Sequence, residues 1–87
     1  MTDDAPTVLV VDDEPAVTEV YATHLRDEYQ VRTAKNGEEA LEQMDEDVSV
    51  VLLDRRMPGM SGDEVLERVR EQGYDARVAM VTAVDPD

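Results

Sequence analysis

The sequence predicts an α/β fold, a doubly wound parallel sheet with helices on both faces, and three observations carry the prediction. Short strand-like runs recur at residues 8–11, 30–33, 50–53 and 77–82. Between them lie stretches whose apolar residues follow the 3.6-residue period of a helix packed on one side. Helix start and stop signals fall at the joints, and a strand-helix series of this kind closes as a parallel sheet with right-handed crossovers.

The first run, Val8-Leu9-Val10-Val11, is apolar throughout, as expected of a strand buried on both faces. Pro15 suits the first turn of a helix, and Ala16, Val17, Val20, Tyr21, His24 and Leu25 are expected to form its inward face. Gln30-Val31-Arg32-Thr33 reads as a short second strand. Asn36 followed by Glu39 has the form of an N-cap with an acidic third position, opening a helix with Ala40, Leu41 and Met44 inward. Val50-Val51-Leu52-Leu53 is the third strand. Ser61-Gly-Asp-Glu64 forms a capping box for a third helix that turns Val65, Leu66 and Val69 inward and stops at Gly73. Residues 77–82 complete the series as a fourth strand, with no repeat or low-complexity segment anywhere in the chain.

Composition limits what such a domain can do. The 87 residues contain 22 Asp+Glu against 8 Lys+Arg, a formal net charge of -14. Phosphate contacts need a basic face that releases counterions, so this surface is not expected to bind nucleic acid, and anionic membrane is excluded on the same ground. No apolar run approaches the ~20 residues of a membrane span and the acidic start does not resemble a signal peptide, so a cytoplasmic location is expected. The absence of cysteine removes disulfides, thiolate catalysis and thiolate-bound metals. Carboxylates are spread over every helix, and the only cations are seven Arg and Lys35. Such a surface repels itself in dilute buffer and is screened at molar salt, where the Debye length is about 3 Å, which suggests a salt-rich cytoplasm.

Chemistry in an open parallel sheet gathers beyond the carboxyl ends of the strands, where strand order reverses. Asp12 and Asp13 follow the first strand, Asp54 follows the third, and Thr82 ends the fourth. Taken singly, Asp12-Asp13 reads as a helix cap and Asp54 as a turn former. If the strands run in the order 2-1-3-4, however, the three carboxylates converge, and like charges in one site call for a counter-ion. Oxygen-only ligands select a hard divalent cation, Mg²⁺ before Mn²⁺ or Ca²⁺. A carboxylate held on such an ion beside helix N-termini is also a plausible nucleophile towards phosphorus.

The string Val8-Leu-Val-Val-Asp-Asp-Glu-Pro15, then Val51-Leu-Leu-Asp54-Arg-Arg-Met57-Pro58-Gly-Met-Ser-Gly62, then Val81-Thr82-Ala83, resembles the receiver domain of two-component response regulators. The acid excess and the Leu-Leu-Asp-Arg-Arg-Met-Pro-Gly segment are similar to haloarchaeal receivers, including those joined to a HalX-type output region. The resemblance implies a flavodoxin-like sheet of order 2-1-3-4 and a phosphoryl acceptor rather than an enzyme in the ordinary sense. It implies that Asp54 takes a phosphoryl group from a sensor histidine kinase. Asp13 would bind Mg²⁺ directly, Asp12 mostly through water, and the backbone carbonyl of Arg56 would complete the protein ligands. Thr82 would hydrogen-bond the attached group, Ala83 would leave it room, and Met57, Pro58 and Gly62 would shape the loop into the third helix. An output domain or downstream protein would receive the signal, in transcription regulation.

The family also has a fourth helix, a fifth strand with a phosphoryl-pairing lysine, and a fifth helix, none of which is expected from these residues. Lys35 follows the second strand and cannot substitute for that lysine. Residues 1–87 are therefore expected to be the N-terminal part of a single receiver domain, and its exposed fourth strand to drive self-association of the truncated chain. Two other functions fit the pattern less well. A phosphatase of the haloacid dehalogenase type wants an acid two residues after the nucleophile, where Arg56 stands. An interaction module that keeps the receiver fold without phosphorylation is the other alternative, and the missing lysine gives it some weight for these residues. His24 reads as a helix boundary residue, and Met44, Met57, Met60 and Met80 as core or loop filling.

Overall fold

The computed structural model describes residues 5–81. Its elements are β1 (Thr7–Val11), α1 (Pro15–Leu25), β2 (Gln30–Ala34), α2 (Gly37–Gln43), β3 (Val48–Asp54), α3 (Gly62–Glu71) and β4 (Arg77–Val81). All strands pair in parallel in the order β2-β1-β3-β4, so β1 and β3 are neighbours at the centre. That adjacency is the reversal of strand order that the acid pattern called for.

Side chains alternate between the two faces of a strand, and the alternation divides the core. Leu9 and Val11 of β1 and Val51 and Leu53 of β3 join Ala40, Met44, Val65 and Val69 in one closed cluster beneath α2 and α3. Leu9 and Leu53 are completely buried there, each a stabilisation of about 1.5–3 kcal/mol relative to exposure. The helices meet this face as their sequences dictate. The Asn36 side chain accepts from the Glu39 N–H at 2.7 Å, while Glu39 Oε1 accepts from the Lys35 N–H at 3.1 Å. Ser61 Oγ likewise accepts from the Glu64 N–H at 3.2 Å. Beyond α3 the chain turns at Gly73, whose φ of 87° is open to glycine at little cost.

The other face departs from the sequence reading. Val8 and Val10 are buried on it, yet α1 meets the sheet through Ala22, its only buried residue. Val17, Tyr21 and Leu25 are half-buried, Ala16 and His24 are exposed, and Val20 is 57% exposed. Helical periodicity weights the large apolar residues, whereas the one fully covered residue of α1 is the small Ala22. α1 lies over β1 and β2. On β3 and β4, Val50, Leu52 and Val81 remain only partly buried.

The third strand begins at Val48, two residues earlier than expected, because the pairing of β1 with β3 slips between Thr7 and Val8. Beyond the slip the register is regular, with Val11 opposite Leu53, so the next residues along the two strands are Asp12 and Asp54.

Candidate functional site

The site is built at the carboxyl ends of β1 and β3. Asp12 continues the ladder by donating its backbone N–H to the Ala34 carbonyl at 3.1 Å, which fixes the residue at the strand end. Its Oδ1 accepts from the Glu14 N–H at 2.9 Å, a local turn that carries the chain into α1. The N-cap of α1 is Glu14, without a side-chain cap, and Pro15 opens the helix as expected. The capping alternative for Asp12-Asp13 is thus replaced by a turn that leaves Asp12 an unused oxygen.

Asp54 closes β3 in the same manner. Its Oδ1 accepts from the Arg56 N–H at 3.1 Å, so the turn-forming role read for this residue holds alongside its place in the acid cluster. One carboxylate oxygen from each of Asp12, Asp13 and Asp54 lies within 4.8 Å of the others. None of these acids enters an ion pair among the described residues. Burial pushes the Asp12 carboxyl above its ordinary value, and the negative charges of Asp54, Asp13 and Glu14 push the same way against the lowering effect of the Glu14 N–H. A donor set of three convergent oxygens, partly buried and lacking a counter-charge, fits a hard divalent cation.

Arg56 has an exposed side chain, as a solvated loop charge would. Arg55 pairs with Asp63 at 3.5 Å, a link from the Asp54 loop to the first turn of α3 that the sequence reading missed. Its signal was an acidic first-turn residue on the helix following that loop. The Gly62 N–H donates to the Arg55 carbonyl at 3.2 Å, a second such link. Thr82 and Ala83 lie outside the described residues.

The family description "Response regulator receiver domain" matches residues 8–87. The chain is 56% identical over 81 residues to a protein of Haloferax volcanii that carries the provisional name of transcriptional regulator, covering 92% of this chain and 14% of that one. It is 41% identical over 81 residues to the transcriptional regulatory protein CpxR homolog of Haemophilus influenzae, covering 92% of this chain and 35% of the relative. Among solved structures it superposes on the response regulator TrrA of Thermotoga maritima in complex with Mg(2+)-BeF, with a TM-score of 0.80 and 39% identity over 98% of this chain and 72% of that one.

Fold, acid cluster and these matches together define a receiver-type signalling module, of a family that is described as phosphoryl acceptors and not as classical enzymes. The chain belongs to the response regulator receiver domain family. Members of this family bind Mg²⁺ at an acidic pocket, and the cluster here supplies one. Receiver domains act with sensor histidine kinases and output domains, many of them transcriptional. Among the described residues no helix is long and apolar enough to cross a membrane.

Proposed function

We propose that this chain accepts a phosphoryl group on Asp54 from the phosphohistidine of a sensor histidine kinase, in a Mg²⁺-dependent step, and so switches an output region or partner in transcription regulation. The observation that carries the proposal is the convergence of Asp12, Asp13 and Asp54 within 4.8 Å at the ends of the two central strands.

In this reading an Asp54 oxygen attacks phosphorus, the P–N bond to the donor imidazole breaks, and the imidazole nitrogen keeps the electron pair. The Arg56 N–H on Oδ1 orients the carboxylate and leaves its other oxygen for attack. Asp13, which is exposed, would hold Mg²⁺ directly, Asp12 mostly through water, and Asp54 and the Arg56 carbonyl would complete the protein ligands. Held there, the ion would supply Lewis-acid neutralisation of the developing phosphoryl charge. Thr82 is assigned the hydrogen bond to the attached group. Residues 1–87 are read as the N-terminal part of one receiver domain, in keeping with a match covering 72% of TrrA. A cytoplasmic setting belongs to the same proposal, as does adaptation to high salt, supported by the net charge of -14 and the Haloferax relative. Self-association through β4, an edge strand among the described residues, also belongs to it.

Incubation with Mg²⁺ and a small acyl phosphate, followed by intact mass, tests the central step. One stoichiometric phosphoryl adduct is expected. Steady turnover of the donor without adduct would favour a phosphatase, and no reaction would favour a module used only for interaction. Melting temperature should rise into molar KCl, and a flat response would end the high-salt reading.

A further inference from the structure

Two buried glycines, Gly37 and Gly62, sit where a side chain has no room, and what surrounds each is different. At Gly37 a Cβ would come within 2.8 Å of Met60 Cβ, Met60 Sδ and Val65 Cγ2, all side-chain atoms of the loop before α3 and of α3 itself. At Gly62 a Cβ would lie 2.7 Å from the Asp54 carbonyl oxygen, 2.9 Å from Arg55 Cα and 3.2 Å from Met80 Sδ. The nearest obstacles at Gly62 are therefore the backbone of the loop that carries the acceptor. A backbone cannot step aside as a methionine can.

We infer that Gly62 is a positioning residue for Asp54: its missing side chain lets the first turn of α3 close against the end of β3 and hold the acceptor carboxylate and the adjoining loop in register with Asp12 and Asp13. Three contacts make the clamp. The Gly62 N–H donates to the Arg55 carbonyl at 3.2 Å, Asp63 pairs with Arg55 at 3.5 Å, and the Arg56 N–H holds Asp54 Oδ1 at 3.1 Å. Ser61 caps the helix immediately before, so the helix start itself is fixed. A Cβ at 62 forces the loop and the helix apart, and the displacement is delivered to Asp54 and Arg56, which the proposed function uses as nucleophile and ligands. The inference rests on that reading for its consequence, while the geometry it describes is independent of it.

The test compares Gly62→Ala with Gly37→Ala in the full chain, measuring thermal stability, Mg²⁺ affinity by calorimetry, acyl-phosphate acceptance by mass, and amide NMR shifts of the metal-free protein. Both substitutions should lower stability. Only Gly62→Ala should weaken Mg²⁺ binding and acceptance by about tenfold or more, since misplacement of a reacting group by ~1 Å costs up to about a hundredfold. Only Gly62→Ala should shift the amides of Asp54, Arg55 and Arg56 without metal. If Gly62→Ala does not fold, Met80→Ala is added. Removing that side chain takes away the contact at 3.2 Å and leaves the two backbone contacts, so the double variant should regain the fold and remain deficient at the site, with Met80→Ala alone as its control.

Unchanged Mg²⁺ affinity and acceptance in folded Gly62→Ala, an equal site deficit in Gly37→Ala, or recovery of the site with the fold in the double variant would each overturn the inference. Should the wild-type chain itself take neither Mg²⁺ nor phosphoryl group, the proposed function falls. The metal-free amide shifts at residues 54–56 then decide the positioning alone, and their absence in Gly62→Ala would overturn it.

Discussion

The two ends of the sheet treat their carboxylates in opposite ways. Before β3, Asp45 accepts from the Arg32 guanidinium at 2.9 Å and from the Asp47 N–H at 2.9 Å, and these bonds hold its carboxyl below the usual range. The same guanidinium donates to the Gln43 carbonyl at 2.8 Å, so one cation ties β2 to the end of α2 and to the loop that follows. Beyond β1 and β3, Asp12, Asp13 and Asp54 crowd together with no cation paired to them, and Asp12 is pushed up. A chain with eight cations has used one to settle a structural corner and none for the corner where the acids are densest. Charge left uncompensated by the fold is charge available to an ion or an incoming phosphoryl group, and such sites tend to be functional.

The most drastic way to break this contrast is to remove the acceptor. Asp54→Asn keeps an oxygen for the Arg56 N–H, so the turn at the end of β3 should persist while the nucleophile is gone. Acyl-phosphate labelling measured by intact mass should fall to background, with the circular dichroism spectrum unchanged. Labelling at the wild-type rate would move the acceptor elsewhere. Asp45→Asn, at the settled end, should label as the wild type does.

Next in size is the response to Mg²⁺. A ligand that binds only the folded state stabilises it by about 2.7 kcal/mol at a hundred times its dissociation constant. Melting in Mg²⁺ against chelator, at constant ionic strength, should show a rise that Asp13→Ala abolishes and Asp12→Ala reduces. Arg32→Gln should lower both curves and leave the increment intact. An increment that survives Asp13→Ala would place the ion away from the cluster.

How legible this contrast is in the sequence depends on the range of the interactions. The acid cluster could be read because its residues follow apolar strands, and strand order turns strand ends into neighbours. The caps at Asn36 and Ser61 could be read because they act within three residues. The Arg32–Asp45 pair spans thirteen residues between a strand and a loop, and nothing in either segment announces the other. The face of α1 was misjudged because its one buried residue is Ala22, while Val20, a member of the expected apolar stripe, faces away from the core. The early start of β3 escaped because Ser49 interrupts the apolar run at the very point where the pairing slips.

A smaller effect should appear without metal. Asp12 titrates in the folded state above the ordinary aspartate value of 3.8, so the folded chain binds its proton more tightly than the unfolded chain does. The resulting penalty is absent below 3.8, grows through the window between the two values, and is complete above the raised one. Stability should therefore fall as pH rises through that window. Asp12→Asn, which keeps an oxygen for the Glu14 N–H, should remove the fall and modestly stabilise the metal-free protein near neutral pH. In Mg²⁺ the order should reverse, with the wild type the more stable. A metal-free Asp12→Asn protein less stable than wild type at every pH would mean that the carboxylate is compensated after all.

The smallest effect belongs to the settled end and runs the other way. Asp45 is depressed below 3.8 by Arg32 first and by the Asp47 N–H second, so its contribution to stability is present above 3.8 and is lost as pH falls through the lowered value. Because the Asp45 side chain is about half exposed, the pair is screened and its worth modest. Asp45→Asn should lower the melting temperature at neutral pH slightly and flatten the acid limb of the stability curve. Arg32→Gln should lower it further, because the Gln43 carbonyl also loses its donor. A double-mutant cycle isolates the ionic part, which should shrink in molar KCl while the Gln43 part remains. Acid titration of the metal-free wild type then sets the two ends against each other, with Asp12 relieved on protonation and Asp45 losing its partner. Subtracting the Asp12→Asn and Asp45→Asn curves from the wild type should give slopes of opposite sign, and slopes of the same sign would erase the distinction between a paired structural corner and an unpaired functional one.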